Sequence, residues 1–392
     1  MKRLKKETEI GLLKVTAITV LGFLLSLFLY QPFTISTTVL VPTGARGDYN
    51  VTDYYSSVAD SRPVRTLDNS IIIVDIRDCS RNEIAEALEY ISYFEPAAVG
   101  LDVVFEEPGD EDIDQYLLNV VNSYDKTLVL PVILAQNDTT GMFEVKEECF
   151  FMPEVENPTL GVVNLPSRFK NGTKREFPGY FPLENGDTLD SFVSGLARIA
   201  DPLAYYHLCR RGNTKEFINY PSRSFRIIKG DLTSIIDNSE IIKNNIVLVG
   251  SVNDIDDIHP TPVDMKMSGI LVHAYALSTI LRHDYLNVPP RFISLALAFV
   301  MCFIVISVSV FMTSGFKGII LRFLQLILLI IVVIAGYLLF LKQNLIIDPS
   351  YAILILTFGL FAADIWAGGV VARKYLTKKL KKLRKTKSTH NQ

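Results

Sequence analysis

The sequence predicts an α/β domain with a mainly parallel sheet flanked by helices, joined to an α-helical membrane part of four spans. Three observations predict it. Short β-branched runs alternate with stretches of helical period between about residues 70 and 277, the pattern of repeated βαβ units. Four long apolar runs flank that region, one before it and three after it, each close to the ~20 residues that cross a bilayer. Charge is partitioned to match: 38 of the 42 acidic residues but only 22 of the 39 basic ones lie between positions 31 and 291, leaving that segment at −16 and the two ends together at +13. Lysine and arginine mark the cytoplasmic side of a membrane, so the acidic segment reads as extracytoplasmic. Its acidity also argues against nucleic acid as a partner.

Residues 1–10 form a basic cytoplasmic N-terminus and 11–30 the first span. A signal peptide is the rival reading, but the chain continues Gln31-Pro32-Phe33-Thr34 without a small-residue cleavage site, which favours an uncleaved anchor. The extracytoplasmic domain is expected over 31–290 and opens with an irregular stalk to residue 69. Strands are expected at 71–76, 97–105 and 127–134, with helices at 81–94 and 112–124 between them. Ile84, Ala87, Leu88 and Ile91 fall on one helical stripe, and Ile113, Leu117, Val120 and Val121 on another. Residues 149–183 are rich in Pro, Gly and Phe and read as a looped or antiparallel insertion. A helix at 189–199, a short strand at 217–220 and a helix at 234–242 follow. Ile246 to Val249 then form a buried strand that ends at Gly250 and closes the sheet, and a helix opens near Ser268 and Gly269.

Past Pro289-Pro290 the expected spans are 292–312, 319–341 and 351–372, with a basic cytoplasmic tail over 373–392. Lys317, Arg322 and the tail belong inside, so both termini are expected in the cytoplasm and 342–350 forms a small outer loop. Asp364 lies in the last span. An ionisable group at membrane depth costs a few kcal/mol and normally faces a bundle interior, unless it sits close to water.

The chemistry concentrates after Gly250. Asp254, Asp256, Asp257, His259, Thr261 and Asp264 crowd a loop stiffened by Pro260 and Pro262, and His273 follows in the helix. Ligands of open α/β sheets bind outside the carboxyl ends of the strands. Asp75, Asp78 and Asp102 end or follow predicted strands and are expected on that edge with Asp257, His259, Thr261 and His273, forming a candidate ligand site. Arg175, with Lys174 beside it, suits an anionic ligand or one of the aspartates. Oxygen donors fit calcium or magnesium, and His259 with His273 fits zinc, so a divalent cation is a candidate for this cluster. The alternative is structural: carboxylates that hydrogen-bond neighbouring loops and cap a helix. No Gly-rich phosphate loop, G-x-S-x-G or H-E-x-x-H is present, so no catalytic residue and no other cofactor is indicated, and a metal-dependent hydrolase is the enzymatic alternative. Of the cysteines, only a Cys149–Cys209 bridge comes into question.

Gly250, Asp257, Thr261-Pro262, Ser268-Gly269-Ile270 and Val272-His273-Ala274 resemble the closing signature of the second-type CHASE domain. Ile71 to Asp78, with Asp75, resembles the opening strand of that family, and Ala98 to Phe105, with Gly100 and Asp102, its second strand. Gly172-Thr173-Lys174-Arg175 stands where the family has a DG segment with basic residues, and Asn219-Tyr220-Pro221 resembles a later strand. The resemblance runs from about Ser70 to Tyr285. After Asp78 the usual insert rich in Trp and Pro is replaced by Cys79-Ser80-Arg81-Asn82 leading into a helix.

The resemblance implies an extracytoplasmic sensory module, multi-pass in a bacterial inner membrane, of a family associated with cyclases and histidine kinases. It implies an unknown extracytoplasmic ligand, and a homodimer is compatible with it. Only a basic tail follows the last span here, so a separate signalling protein is the expected partner and membrane lipid the expected contact of the tail. A tethered metal-dependent enzyme and a membrane scaffold are the alternatives.

Overall fold

The β-branched runs of the sequence are buried on both faces, because the central strands of the sheet lie between two layers of helices. In this computed structural model, which describes residues 11–26, 48, 51–60, 66–124, 126–167, 172–220, 223–252, 254–311, 317–347 and 350–389, the chain forms two compact units. One is Val41–Leu286. The other joins Met1–Leu40 to Asn287–Gln392.

In the second unit α1 is Gly11–Ser26. The first unit opens with α2 (Val51–Asp60) and β1 (Thr66–Asp75), where the sequence led us to expect an irregular stalk. Tyr55 of α2 is fully buried, which accounts for the order there. Then come α3 (Arg81–Tyr93), β2 (Ala98–Leu101), α4 (Glu111–Asn122), β3 (Leu128–Gln136), β4 (Phe143–Glu148) and β5 (Thr159–Val162). A series of short pieces follows: β6 (Glu176–Pro178), β7 (Tyr180–Pro182), β8 (Thr188–Asp190), α5 (Phe192–Ala200), α6 (Pro202–Arg211) and β9 (Lys215–Phe217). The unit ends with β10 (Arg223–Lys229), α7 (Leu232–Asp237), α8 (Ser239–Ile242), β11 (Ile246–Gly250), β12 (Ile258–His259), β13 (Met267–Ser268) and α9 (Gly269–Leu281).

The sheet runs β10-β1-β11-β2-β3-β4, with β5 also paired to β3. All its pairings are parallel except β3 with β4. Side chains alternate between two cores. Ile71, Ile73, Ile246 and Leu248 point to α5, α6 and α9, whereas Ile72, Val74, Val247 and Val249 point to α3, α4, α7 and α8. The helix starts are encoded locally: Ser80 and Glu83 make a reciprocal capping box, and Asp110 caps α4.

Three expectations are corrected. The strand at 97–105 stops at Leu101, because its neighbour β11 ends at Gly250 and the last rung is the bond from Asp102 N to Val249 O, 2.8 Å. The strand at 246–249 does not close the sheet but inserts between β1 and β2, while β10, absent from the sequence reading, forms the edge. Cys149 and Cys209 are both free, one buried in the α3/α4 core and the other exposed on α6, on the opposite side of the sheet.

In the second unit α1 is joined by α10 (Arg291–Phe311), α11 (Lys317–Gln343) and α12 (Ser350–Thr389). Among the described residues three helices, α10 to α12, are long and apolar enough to cross a membrane. The described part of the first expected span is shorter, and residues 27–30 of that span lie outside the described residues. Val15, Ile18, Met301, Val305 and Ile355 pack inward, while Phe292, Phe323, Ile327 and Ile331 face outward, the distribution of helices surrounded by lipid. Asn287 N donates to Asn344 O at 2.7 Å and Ile346 N to Asn287 O at 2.9 Å, so the α11–α12 loop shares an end with the start of α10. The Asp364 side chain does not enter the bundle interior. It is exposed and lies 3.9 Å from Arg322, because its position on α12 is level with the first turns of α11.

Candidate functional site

The carboxyl ends of β1, β11 and β2 lie side by side, so the topology brings Asp75 and Asp102 to either side of the β11 end. From there the chain runs out and returns, and Ile258 pairs with Ser268 and His259 with Met267. This hairpin swings Asp257 onto the start of α9. Its Oδ2 accepts from Gly269 N at 3.0 Å and its Oδ1 faces His259 Nε2 at 3.0 Å. A glycine is needed at 269, since a Cβ there would lie 2.3 Å from Asp257 Oδ2. Asp257 thus caps α9 from twelve residues upstream and meets the positive end of the helix dipole. Ser268, in the N-cap position, makes no cap bond, and its buried hydroxyl has no hydrogen-bond partner among the described residues.

Besides His259, three ionisable groups surround that carboxylate. Asp102 reaches solvent with part of its surface yet lies deep in the fold, and its carboxyl accepts no hydrogen bond from the described residues. Burial, reinforced by the charge of Asp257, pushes it up to about 7. His273 is buried with its ring edge against Phe192, centroids 5.1 Å apart. Burial pushes it down to about 4, against the attraction of Asp257. Lys174 is buried and donates through Nζ to Leu165 O. Burial lowers its ammonium while Asp257 opposes the shift. The cluster therefore combines a carboxyl poised to change charge near neutrality, a neutral imidazole and a buried cation around one capped carboxylate.

Other expected site residues go elsewhere. Asp75 Oδ1 accepts from Arg77 N at 3.2 Å and Val252 N at 2.9 Å, tying two loops to the sheet edge. The Asp78 side chain is 89% exposed beside Arg77. Thr261 closes a turn with Asp264, its Oγ1 donating to Asp264 O at 2.8 Å. Arg175 is turned away from these aspartates: its Nε and Nη2 grip the two oxygens of Asp53 at 2.6 and 2.7 Å, and Nη1 meets Asp48 Oδ1 at 2.7 Å. Consecutive residues of an extended chain point to opposite sides, so Lys174 serves the cluster while Arg175 pins the segment around α2. Among the described residues no three His, Cys, Asp or Glu side chains are grouped to hold a metal ion.

A family description, the CHASE2 domain, matches residues 38–311, which takes in every element from α2 to α10. The chain belongs to the CHASE2 family. CHASE2 domains are extracellular sensory domains and not catalysts. Comparison with curated proteins and with solved structures returned no match. Within this CHASE2 domain, sequence reasoning named Ser268 only as a helix start and part of the closing signature, and gave Lys174 only a supporting part. The signal for Lys174 was its place beside Arg175 in a segment that the family resemblance had already marked.

Proposed function

We propose that this chain is a membrane-anchored sensor that receives an extracytoplasmic signal at the carboxyl edge of the CHASE2 sheet and relays it to a separate signalling protein at an inner membrane. The observation that carries this reading is the family match over an α/β unit whose sheet edge gathers Asp102, Asp257, His273 and Lys174 around the start of α9. The positive-inside distribution of charge and the three long apolar helices support a multi-pass anchor with both termini in the cytoplasm. The basic end of α12 suits anionic headgroups, at about 1 kcal/mol per lysine or arginine near the surface, and competition between lipid and a partner for this segment is a route for output. A homodimer is compatible with the arrangement.

A labelling experiment tests the topology on which the reading depends. With the free Cys79 and Cys209 of the domain replaced by serine, a cysteine introduced at Asn137, on the loop after β3, should react with an impermeant maleimide in intact cells, and one introduced at Ser388 should react only after lysis. The reverse pattern would end the sensor reading.

A further inference from the structure

The carboxyl edge of the sheet continues past the cluster to β3 and β5, and there it carries a cleft of about 530 Å³. That volume is within the range of small-molecule sites. Its walls are aromatic and proline side chains. Phe143 and Phe181 meet edge to face with centroids 5.1 Å apart, and Tyr180, Pro166 and Pro182 complete the apolar surface. Asn164 also lines the cleft but is committed: its Nδ2 donates to Leu134 O at 2.9 Å and its Oδ1 accepts from Leu134 N at 2.7 Å, so it acts as a fixed extension of the sheet. Gln136 spends its amide hydrogens on Gly141 O, 3.0 Å, leaving an acceptor. Among the described residues Lys215, at the start of β9, is the one charged residue of the lining, and no carboxylate of those residues pairs with it.

We propose that this cleft binds a small aromatic carboxylate, its ring held against Phe143, Tyr180 and Phe181 and its anionic group at Lys215. An amine of the same shape would meet the lysine as a like charge, and an aliphatic acid would forgo the ring contacts. The cleft is also connected to the cluster. Leu165 lines it and offers its carbonyl to Lys174, whose ammonium is attracted to Asp257, so a ligand that shifts Leu165 moves the buried cation of the cluster. Binding is a claim separate from sensing, and the two are measured separately.

The experiment is isothermal titration of the full chain in lipid nanodiscs with 3-phenylpropionate and, as controls, 3-phenylpropylamine and butyrate, each also run against empty discs. Saturable binding of 3-phenylpropionate to loaded discs is expected, with both controls weaker. Lys215→Gln should weaken the carboxylate about fivefold and leave the amine no worse than before. Tyr180→Ala should weaken the carboxylate about tenfold. Both side chains are exposed, so neither variant threatens folding. Equal heats from loaded and empty discs, equal affinity for acid and amine, or affinity unchanged in both variants would each overturn the proposal. Saturable binding with the expected variant effects would uphold the cleft even if the domain relays no signal.

Discussion

Near each end of α9 lies an aspartate set deep in the fold, and the two are treated in opposite ways. At the far end Asp68 is 1% exposed and fully satisfied: Ser70 Oγ donates at 2.6 Å, Ser278 Oγ at 2.7 Å and Arg282 Nε at 2.9 Å. Burial alone would raise its pKa, but these bonds outweigh it and hold the carboxyl well below the usual range. Near the start of α9 Asp102 has no such donors and the charge of Asp257 for a neighbour, and it is pushed up to about 7. The same side chain in the same domain is thus a fixed anion in one place and a titrating acid in the other. The difference is set by donors, since both carboxylates lie deep in the fold.

Removing the charge should therefore act with opposite sign at the two ends. Asp68→Asn leaves Arg282 without its carboxylate, while Arg223 keeps Asp284, and a loss of about 3 kcal/mol is expected in urea unfolding of the detergent-solubilised chain followed by circular dichroism. Because the folded pKa is depressed, the stability from Asp68 is complete above its ordinary 3.8 and is lost as the pH falls below it. A change below 0.5 kcal/mol would place Asp68 outside the stabilising framework and dissolve the contrast.

Asp102→Asn should stabilise the domain at pH 8 by roughly 2 to 4 kcal/mol, since the wild type must hold there a charge that is poorly solvated and faces Asp257. The sign follows from the raised pKa. Between 3.8 and about 7 the folded state keeps a proton that the unfolded state has lost, so stability falls as the pH rises through that window. His273 contributes the opposite slope. Its pKa drops from 6.5 to about 4, so its stability is complete above 6.5 and is lost as the pH falls towards 4. In the wild type the two slopes partly cancel. Melting profiles from pH 4 to 8 should therefore separate them: Asp102→Asn should leave a curve that rises with pH, and His273→Gln one that falls. Parallel profiles for all three proteins would show that neither group titrates as its surroundings dictate.

Gly269→Ala is expected to cost about 2 kcal/mol, because its Cβ would lie 2.3 Å from Asp257 Oδ2 and the cap would have to move. A displaced Asp257 no longer repels Asp102, so the pH dependence above 6.5 should shrink along with the stability. Loss of stability with an unaltered profile would uncouple the two carboxylates.

How much of this was legible from sequence depends on the range of each interaction. Helices α3 and α4 were visible because caps and apolar stripes are local, and β1 and β11 because their β-branched runs are buried on both faces. β10 escaped notice because Arg223 and Arg226 interrupt its apolar pattern at a sheet edge. The position of β11 between β1 and β2 is a matter of topology, which no local pattern encodes. The grip of Arg175 on Asp48 and Asp53 joins residues more than 120 positions apart, and nothing near Arg175 announces it. The candidate aspartates were visible as a set at the ends of strands, but whether each has donors is decided by loops from distant parts of the chain.

Asp75 gives the smallest effect and completes the argument. It lies one strand from the β11 end, on the opposite side from Asp102, yet its Oδ1 alone accepts both loop hydrogen bonds, from Arg77 N and Val252 N. An asparagine can present its carbonyl oxygen in the same place, so Asp75→Asn should change stability by no more than about 0.5 kcal/mol, whereas Asp75→Ala, which removes the acceptor, should cost about 1 kcal/mol. The substitution of Asp by Asn would then be costly at 68, favourable at 102 and nearly silent at 75. That ordering tests one idea, that the donors around a carboxylate and not its position in the fold decide whether its charge is wanted. A loss at Asp75→Asn equal to that at Asp75→Ala would show that the charge itself holds the loops and would restore Asp75 as an electrostatic member of the cluster.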